Sequence, residues 1–597
     1  MLKLALLLNF LLAFAPAFGQ LWTYPQAIRR AQSLRQAQEY AAAAALYSSA
    51  FQQTTAPEPD DQYNAACAYA LAGSPKQALA LLRQIVGTTY FNYDQLATDA
   101  DLATLRTNKR WPVLLDRIRK AHLQTVSRRQ AQQDFDLLVA SLKEAHAGLY
   151  WYTTKPQFDS LCAAQRAKIS AHQTVLDFYT LVAPVIGSIR EGHTFLHVGS
   201  QTQAYLRFSG RYFPGYIKVL NQQVYLVADI RTLKTKGLLL TKINGRPVED
   251  IMRQFMAYEP ADGFNTTSKY RWLERGTRFH QYYSRCYPQP TAFSIEVQDP
   301  QTRQRQTYSG IAPVGYDALL AGARTATAAL TGPTPLPPAV LRLDAATQTA
   351  FLTFNTFDAK RYQKTGVTFP EFVQNAFRQI QAQSMRHLVL DIRQNGGGRE
   401  GYEDYLLSFL VAHDYTKYAY VEASGLTYSF YPFTDHKNDG PQLDSVLSRE
   451  HYRASDGRLL RRPGIEEHTK PQPNPFRGDI YVLTSGLTYS GGSEFAALVK
   501  NYTPAVFIGE EVGGGYYGNS SGIRLTLRLP NSALEIGIPL LKFVVATPAG
   551  ATVPLGHGVP PDYYVQPTIG QYLSGYDAEL AWCKQLIAKS GNAAGHP

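Results

Sequence analysis

The sequence predicts a multidomain α/β protein, and three observations carry that prediction. The chain is 597 residues long, too long for one hydrophobic core. From Leu341 to about Thr568, short apolar runs (350–354, 388–392, 480–483) alternate with helical patterns over 369–383, after Gly398 and after Ser490, as successive β-α crossovers do. Ahead of that core the pattern is helical to about residue 190 and strand-rich from 205 to 330.

Residues 1–19 read as a secretory signal: Lys3, an apolar stretch through Phe14, then Ala17-Phe-Gly19 as a small-x-small cleavage site before Gln20. The apolar stretch is too short for a bilayer span and is interrupted by Pro16. No Cys follows it to carry a lipid anchor, and no later segment is long enough to cross a membrane. The expectation is a soluble protein exported to the periplasm or the exterior, with no membrane span.

Composition narrows the class further. With 45% hydrophobic and 18% charged residues, the mature chain is globular. Its formal charge of +12 comes from scattered Lys and Arg with no basic stripe, which argues against a nucleic-acid partner. Cys67, Cys162, Cys286 and Cys583 are too few and too far apart for a disulfide scaffold, and there is no CxxC or HExxH spacing for a metal. Cys67 sits in an alanine-rich run and reads as a core residue.

The elements then follow in order. A helical region over 20–125 carries Ala44 and Ala78 in similar settings thirty-four residues apart, which is the tetratricopeptide period; residues 24–122 offer either a surface for a protein partner or a cap on the catalytic part. A helical cap over 126–204 ends in Ser188-Ile-Arg-Glu-Gly-His193-Thr-Phe-Leu-His-Val198, whose last part alternates like a strand. A module over 205–325 contains Val224–Ala228 as an extended run and Ile243-Asn-Gly-Arg-Pro-Val248, a strand, turn and helix start that reads as PDZ-like, able to bind peptide ends at a sheet edge. Ala323 to Leu341, rich in Ala, Thr and Pro, reads as a linker. The α/β core over 340–570 comes next, then a C-terminal helix and tail over 571–597.

Chemistry concentrates in two segments of the core. Leu388-Val-Leu-Asp-Ile-Arg-Gln-Asn-Gly-Gly-Gly398 ends in glycines that let bare backbone N–H groups approach a ligand. Ile480-Tyr-Val-Leu-Thr-Ser-Gly-Leu-Thr-Tyr-Ser490 places Ser490 at a strand-to-helix turn, with the N–H of Gly491 pointing outward. A nucleophile beside backbone donors is what acyl transfer requires. Ser493, one turn later, reads as an ordinary helical serine.

Together these segments resemble the C-terminal-processing (tail-specific) serine peptidase family, in the branch near the tricorn core protease and interphotoreceptor retinoid-binding protein. The resemblance spans roughly 130–568 and rests on Asp391–Gly398, Thr488-Tyr-Ser-Gly-Gly-Ser-Glu-Phe-Ala496, Gly509-Glu510 ahead of Gly513-Gly-Gly515, and Gly558-Val-Pro-Pro-Asp562-Tyr-Tyr-Val565. It implies a crotonase-like catalytic core, a PDZ-like module and a peptide or protein substrate, with no cofactor and no metal. It also implies Ser490 as nucleophile, with the N–H groups of Gly491 and of Gly397, within the Gly396–Gly398 run, as oxyanion donors. Where many relatives carry a lysine base, this chain has Glu511-Val-Gly-Gly-Gly-Tyr-Tyr-Gly518, and no lysine occurs between Lys500 and Lys542. Gly192-His193-Thr194 resembles the histidine motif of the tricorn-like branch instead, and histidine suits proton abstraction near neutral pH. His557 and, less so, His197 compete with His193. Where that branch can carry a glutamate this chain has Leu555, so the orienting acid stays open among Glu191, Glu511 and Asp562.

The reading is an exported serine endopeptidase, with a rival from another class. Leu555 and the missing lysine fit a weak or inactive relative that binds peptide or an apolar ligand; the retained Ser490, His193 and glycines oppose it. A third reading is a scaffold acting through residues 24–122.

Overall fold

A computed structural model describes residues 22–85, 96, 99–114, 123–331, 336–465 and 470–593. The proposed signal, residues 1–19, lies outside the described residues. The chain divides into two compact units, one comprising residues up to Leu123 with Ser200–Ser209, the other comprising Gln124–Gly199 and Gly210–Pro597.

The first unit is helical. Tyr24–Gln36, Tyr40–Phe51, Pro59–Leu71 and Pro75–Ile85 form two consecutive helix pairs. Small residues line their contacts: Ala31, Ala43, Ala44, Ala65, Ala68 and Ala78 are all buried, and Cys67 lies with them. Alanine at such positions lets helix axes approach closely. Ala204, on Ser200–Ser209, belongs to the same core, so the expected boundary at residue 204 cuts through a helix.

The second unit opens with three helices, Arg128–Ala145, Lys155–Ala167 and Val175–Ile189, each begun by a reciprocal capping box on Ser127, Thr154 and Thr174 respectively. Asp134, fully buried on the first of them, accepts four hydrogen bonds: from Asn531 N–H (3.1 Å) and Nδ2 (2.8 Å), and from Ser532 N–H (2.7 Å) and Oγ (2.6 Å). Asp134→Ala would strand these donors, and we expect about 3 kcal/mol of destabilisation, measurable as a shifted urea midpoint at unchanged slope. A loss within experimental error would show the clasp to be dispensable.

The strand-rich segment is an antiparallel sheet of Ile217–Leu220, Gln223–Leu226, Leu239–Ile243, Phe293–Gln298 and Arg305–Ile311. Arg246–Pro247 pairs back onto Leu239–Ile243 across Asn244 and Gly245, as read from sequence. The stretch read as a linker is not one throughout: Tyr316–Thr331 is helical, and a strand begins at Ala339. Its Ala-rich half has strong helix propensity, which outweighs its small-residue composition.

The core sheet runs Ala339–Asp344, Thr349–Phe354, His387–Asp391, Asp479–Thr484, Val506–Gly509 and Tyr563–Tyr564, parallel after the first pair. Leu388, Val389, Leu390, Val482 and Leu483 are buried, as strands covered on both faces require. The C-terminal helix Ala578–Ala593 covers one face through Cys583 and Ile587, packed with Phe351, Val389 and Tyr481. A second, antiparallel sheet was not read from the sequence. It contains Tyr418–Ala423, Gly518–Arg528 and Glu535–Val545, and Phe195–His197 pairs with the last of these. Glu535–Val545 pairs with Tyr418–Ala423, more than a hundred residues earlier, and with Phe195–His197, more than three hundred earlier, so these pairings have no local signature. Among the described residues all four cysteines are free thiols, and no helix is long and apolar enough to cross a membrane.

Candidate active site

The two glycine- and serine-bearing segments meet because their strands are neighbours. His387–Asp391 and Asp479–Thr484 pair in parallel, Asp391 opposite Leu483, so both loops leave the carboxyl ends of adjacent strands, where open α/β sheets place ligands. Three bonds lock the loops together: Thr488 Oγ1 to Ile392 O (2.8 Å), Ser485 Oγ to Arg393 O (2.6 Å) and Tyr489 N–H to Asn395 O (2.9 Å).

Ser490 ends the turn. It caps Gly491–Tyr502 with φ 54° and ψ −129°, a backbone state that non-glycine residues adopt at a cost and that recurs at functional sites. Ser493 Oγ donates to Ser490 O (2.7 Å), an ordinary helical back-bond. The helix N-terminus supplies positive potential beside Ser490.

His193 comes from a different direction. Val175–Ile189 stops when Arg190 turns left-handed (φ 59°), and Glu191-Gly192-His193 forms the turn into Phe195–His197. Gly192 is required there: a Cβ would lie 2.0 Å from the Tyr489 hydroxyl. Glu191, 1% exposed, accepts from the His193 Nδ1–H (3.0 Å) and from the His193 backbone N–H (3.0 Å), while Ser520 N–H adds a third bond (3.3 Å). With its proton on Nδ1, His193 presents Nε2 to the Ser490 hydroxyl, which donates to it across 3.0 Å. Residues 297 apart in sequence thus form one hydrogen-bonded chain, Ser490–His193–Glu191.

The electrostatics suit a proton acceptor. Burial pushes the Glu191 carboxyl up to about 7, against the pull of His193. Burial also works against a charged His193, yet the nearby Glu191, Asp262 and Glu494 charges outweigh it and raise its pKa. The two groups therefore titrate as a pair, with the surrounding carboxylates favouring the protonated imidazole.

The other expected residues fall elsewhere. His557 bonds Glu511 (Nδ1 to Oε1, 3.1 Å), and Glu511 also accepts from Gly558 N–H and Asn265 Nδ2. Asp562 accepts from Phe507 N–H (2.8 Å) and pairs with Lys500 (3.0 Å), tying strands together. His197 is exposed, its ring stacked on Phe195. Leu555 is 54% exposed. Of the three acids, only Glu191 is bonded to His193.

Gly397 is a correction. Its N–H donates to Asn395 Oδ1 (2.9 Å), so it is spent inside its own loop. A glycine is still needed, because φ is 89° and a Cβ would lie 2.7 Å from Gly491 N and 2.8 Å from Ser490 Cβ.

Two features carried no sequence signal. Asp262, between the helices Val248–Tyr258 and Thr267–Leu273, is buried and bonded to both the histidine turn and Tyr489. Ligand atoms of Glu191, His193 and Asp262 lie within 4.8 Å of one another, a spacing a cation would fit, but these atoms already have protein partners. Behind Gly491, Lys417 is buried with Glu403, Asp404 (3.2 Å) and Glu494 (3.7 Å).

Comparison with known proteins adds to this geometry. Residues 348–565 match the model of peptidase family S41. No curated protein matches the chain by sequence. Among solved structures, mature CPAF is similar over 79% of this chain and 99% of its own, at 16% identity and TM-score 0.52. A serine-to-alanine mutant of CPAF aligns over the same shares at 16% identity and TM-score 0.54. At that identity the likeness establishes a shared fold. The family model covers both the glycine-rich segment and the serine turn, so residues 348–565 carry a peptidase family S41 core, and the chain is a serine-type peptidase.

Proposed function

We propose that the protein is an exported serine endopeptidase using Ser490 as nucleophile, His193 as general base and Glu191 as the acid that orients it. The observation carrying this reading is the hydrogen-bonded chain of 3.0 Å links from Ser490 Oγ through His193 to Glu191. His193 Nε2 takes the hydroxyl proton as Oγ attacks the substrate carbonyl carbon. The tetrahedral oxyanion is held by the Gly491 N–H at the helix start. Its second donor passes from Gly397 to Gly398: Gly397 C=O and Arg399 N–H are the groups that bond Phe357, which turns the Gly398 N–H the other way. His193 then returns its proton to the leaving amine, and water, deprotonated by His193, hydrolyses the acyl ester.

The antiparallel sheet over 217–311 serves as a PDZ-like module presenting an extended peptide end, beside a crotonase-like core. The helix pairs of the first unit act as a tetratricopeptide-like surface. Residues 1–19 direct export.

Fluorophosphonate labelling tests the mechanism without knowledge of substrate sequence. Wild type is expected to label at Ser490 and His193→Ala to lose labelling; a folded, unlabelled wild type would turn the reading toward a binding protein. Glu191→Gln keeps the shape but lets the amide donate where it must accept, so His193 loses its tautomer. A fall in kcat of about 10²–10⁴ is expected, with KM little changed. Activity within threefold of wild type would remove Glu191 from the mechanism.

A further inference from the structure

We propose that Asp262 is a positioning residue of this site, one buried carboxylate that holds the histidine turn, the nucleophile turn and the Gly513–Gly515 loop in register and favours the imidazolium formed when His193 takes the serine proton. The inference rests on the Ser490–His193 reading above.

The geometry is specific. Asp262 is 1% exposed. Its Oδ1 accepts from the Gly192 N–H (3.0 Å), next to His193, and from the Tyr489 hydroxyl (2.6 Å), next to Ser490; its Oδ2 accepts from the Gly515 N–H (2.9 Å). Each catalytic side chain is thus one residue from a bond to the same carboxylate. The Tyr489 ring also packs at 5.2 Å from the imidazole, so a shift of Tyr489 moves both partners. Burial, and then the neighbouring Asp262, keep the Tyr489 phenol protonated as a donor.

A purely structural clamp would not need a charge here. The loop carrying Asp262 is docked by main-chain bonds of its own, Gly263 N–H to Arg190 O (2.8 Å) and Phe264 N–H to Gly556 O (2.7 Å). The carboxylate instead adds negative charge within 4.8 Å of the histidine. The charged groups acting on His193 are Glu191, Asp262 and Glu494; the phenols of Tyr489 and Tyr152 face the carboxylates as neutral groups. Removing one negative charge lowers the pH at which the Glu191–His193 pair loses its last proton, whichever partner holds it.

The test is the rate of fluorophosphonate labelling against pH for wild type, Asp262→Asn and Tyr489→Phe. Asp262→Asn is expected to move the acid limb down by about one pH unit and lower the plateau rate by about 10- to 100-fold, since its NH2 must face an N–H donor. Tyr489→Phe keeps the charge, so its acid limb should coincide with wild type while its plateau falls a few-fold. If Asp262→Asn does not accumulate folded, Asp262→Ser removes the same charge without a misplaced donor and makes the same measurement. An acid limb unmoved in the charge-removing variant overturns the proposal while leaving Ser490 and His193 in place. A wild type that does not label, or a Ser490→Ala protein that still does, overturns the underlying mechanism as well.

Discussion

Ser490→Ala is expected to lower kcat for protein cleavage by a factor on the order of 10⁶ while the chain stays folded. The hydroxyl's contact in the site is the bond to His193, so its loss removes the nucleophile without stranding a buried group. Alanine is no more strained at φ 54° than serine, and the helix behind it is held by other contacts, among them Gly492 N–H to Tyr489 O and Tyr489 N–H to Asn395 O. Circular dichroism and the urea midpoint should therefore match wild type. Because the residues act as a unit, the double variant Ser490→Ala, His193→Ala should be no slower than either single one. Turnover of Ser490→Ala within tenfold of wild type would sink the mechanism, whatever the cause.

Lys417→Met is expected to have the largest effect on stability, about 3–5 kcal/mol at neutral pH. Lys417 is 2% exposed and faces three carboxylates, with Glu403 in direct ion pairing and Asp404 and Glu494 at 3.2 and 3.7 Å. Part of the negative charge is hydrogen-bonded: Tyr418 Oη and Asn519 Nδ2 donate to Glu494 at 2.7 and 2.8 Å, and Gly401 N–H donates to Glu403 at 3.1 Å. Remove the ammonium and the carboxylates remain buried without a counter-charge. The pH dependence has a definite sign. Burial, opposed by Lys417 and reinforced by Glu403, raises Asp404 from its ordinary 3.8 to about 8. A carboxyl raised in the folded state stabilises fully below its unfolded pKa, and that contribution is lost as pH rises toward about 8. Without Lys417 the carboxyl values climb further, so the deficit of Lys417→Met should be greatest near pH 8 and shrink toward pH 4. Urea melts across that range check it; a pH-independent deficit would mean that lost packing, not charge, is the cause. Since Glu403 Oε2 would lie 3.6 Å from a Cβ on Gly491, the same cluster also backs the N–H that receives the oxyanion.

Much of the site was legible because its parts are local. A strand, a polar turn and a helix around Ser490 occupy consecutive residues, and backbone sterics with capping decide that shape within a few positions. The glycine run and the Glu191-Gly192-His193 turn are local in the same sense. The antiparallel sheet was not legible, because Glu535–Val545, beyond its pairing with the adjacent Gly518–Arg528, pairs with Tyr418–Ala423 and Phe195–His197, strands far away in the chain. Gly397 was misassigned for a finer reason: whether its N–H faces substrate or Asn395 depends on one side-chain rotamer two residues upstream.

By itself, then, the sequence determined the α/β core, the serine turn, the glycine-rich loop and the histidine that could serve them, since short-range propensity and motif suffice for each. Only the tertiary structure decided which acid touches His193. Glu191, Glu511 and Asp562 are chemically equivalent in a string of letters, and burial and direction separate them: Glu191 is folded back onto its neighbour by the left-handed Arg190, while the other two are spent on His557 and on the Val506–Gly509 strand. Asp262 and Lys417 belong to the same class of fact. A carboxylate 227 residues from the tyrosine it bonds, and one ammonium among three acids, acquire their meaning only when packing removes water from around them.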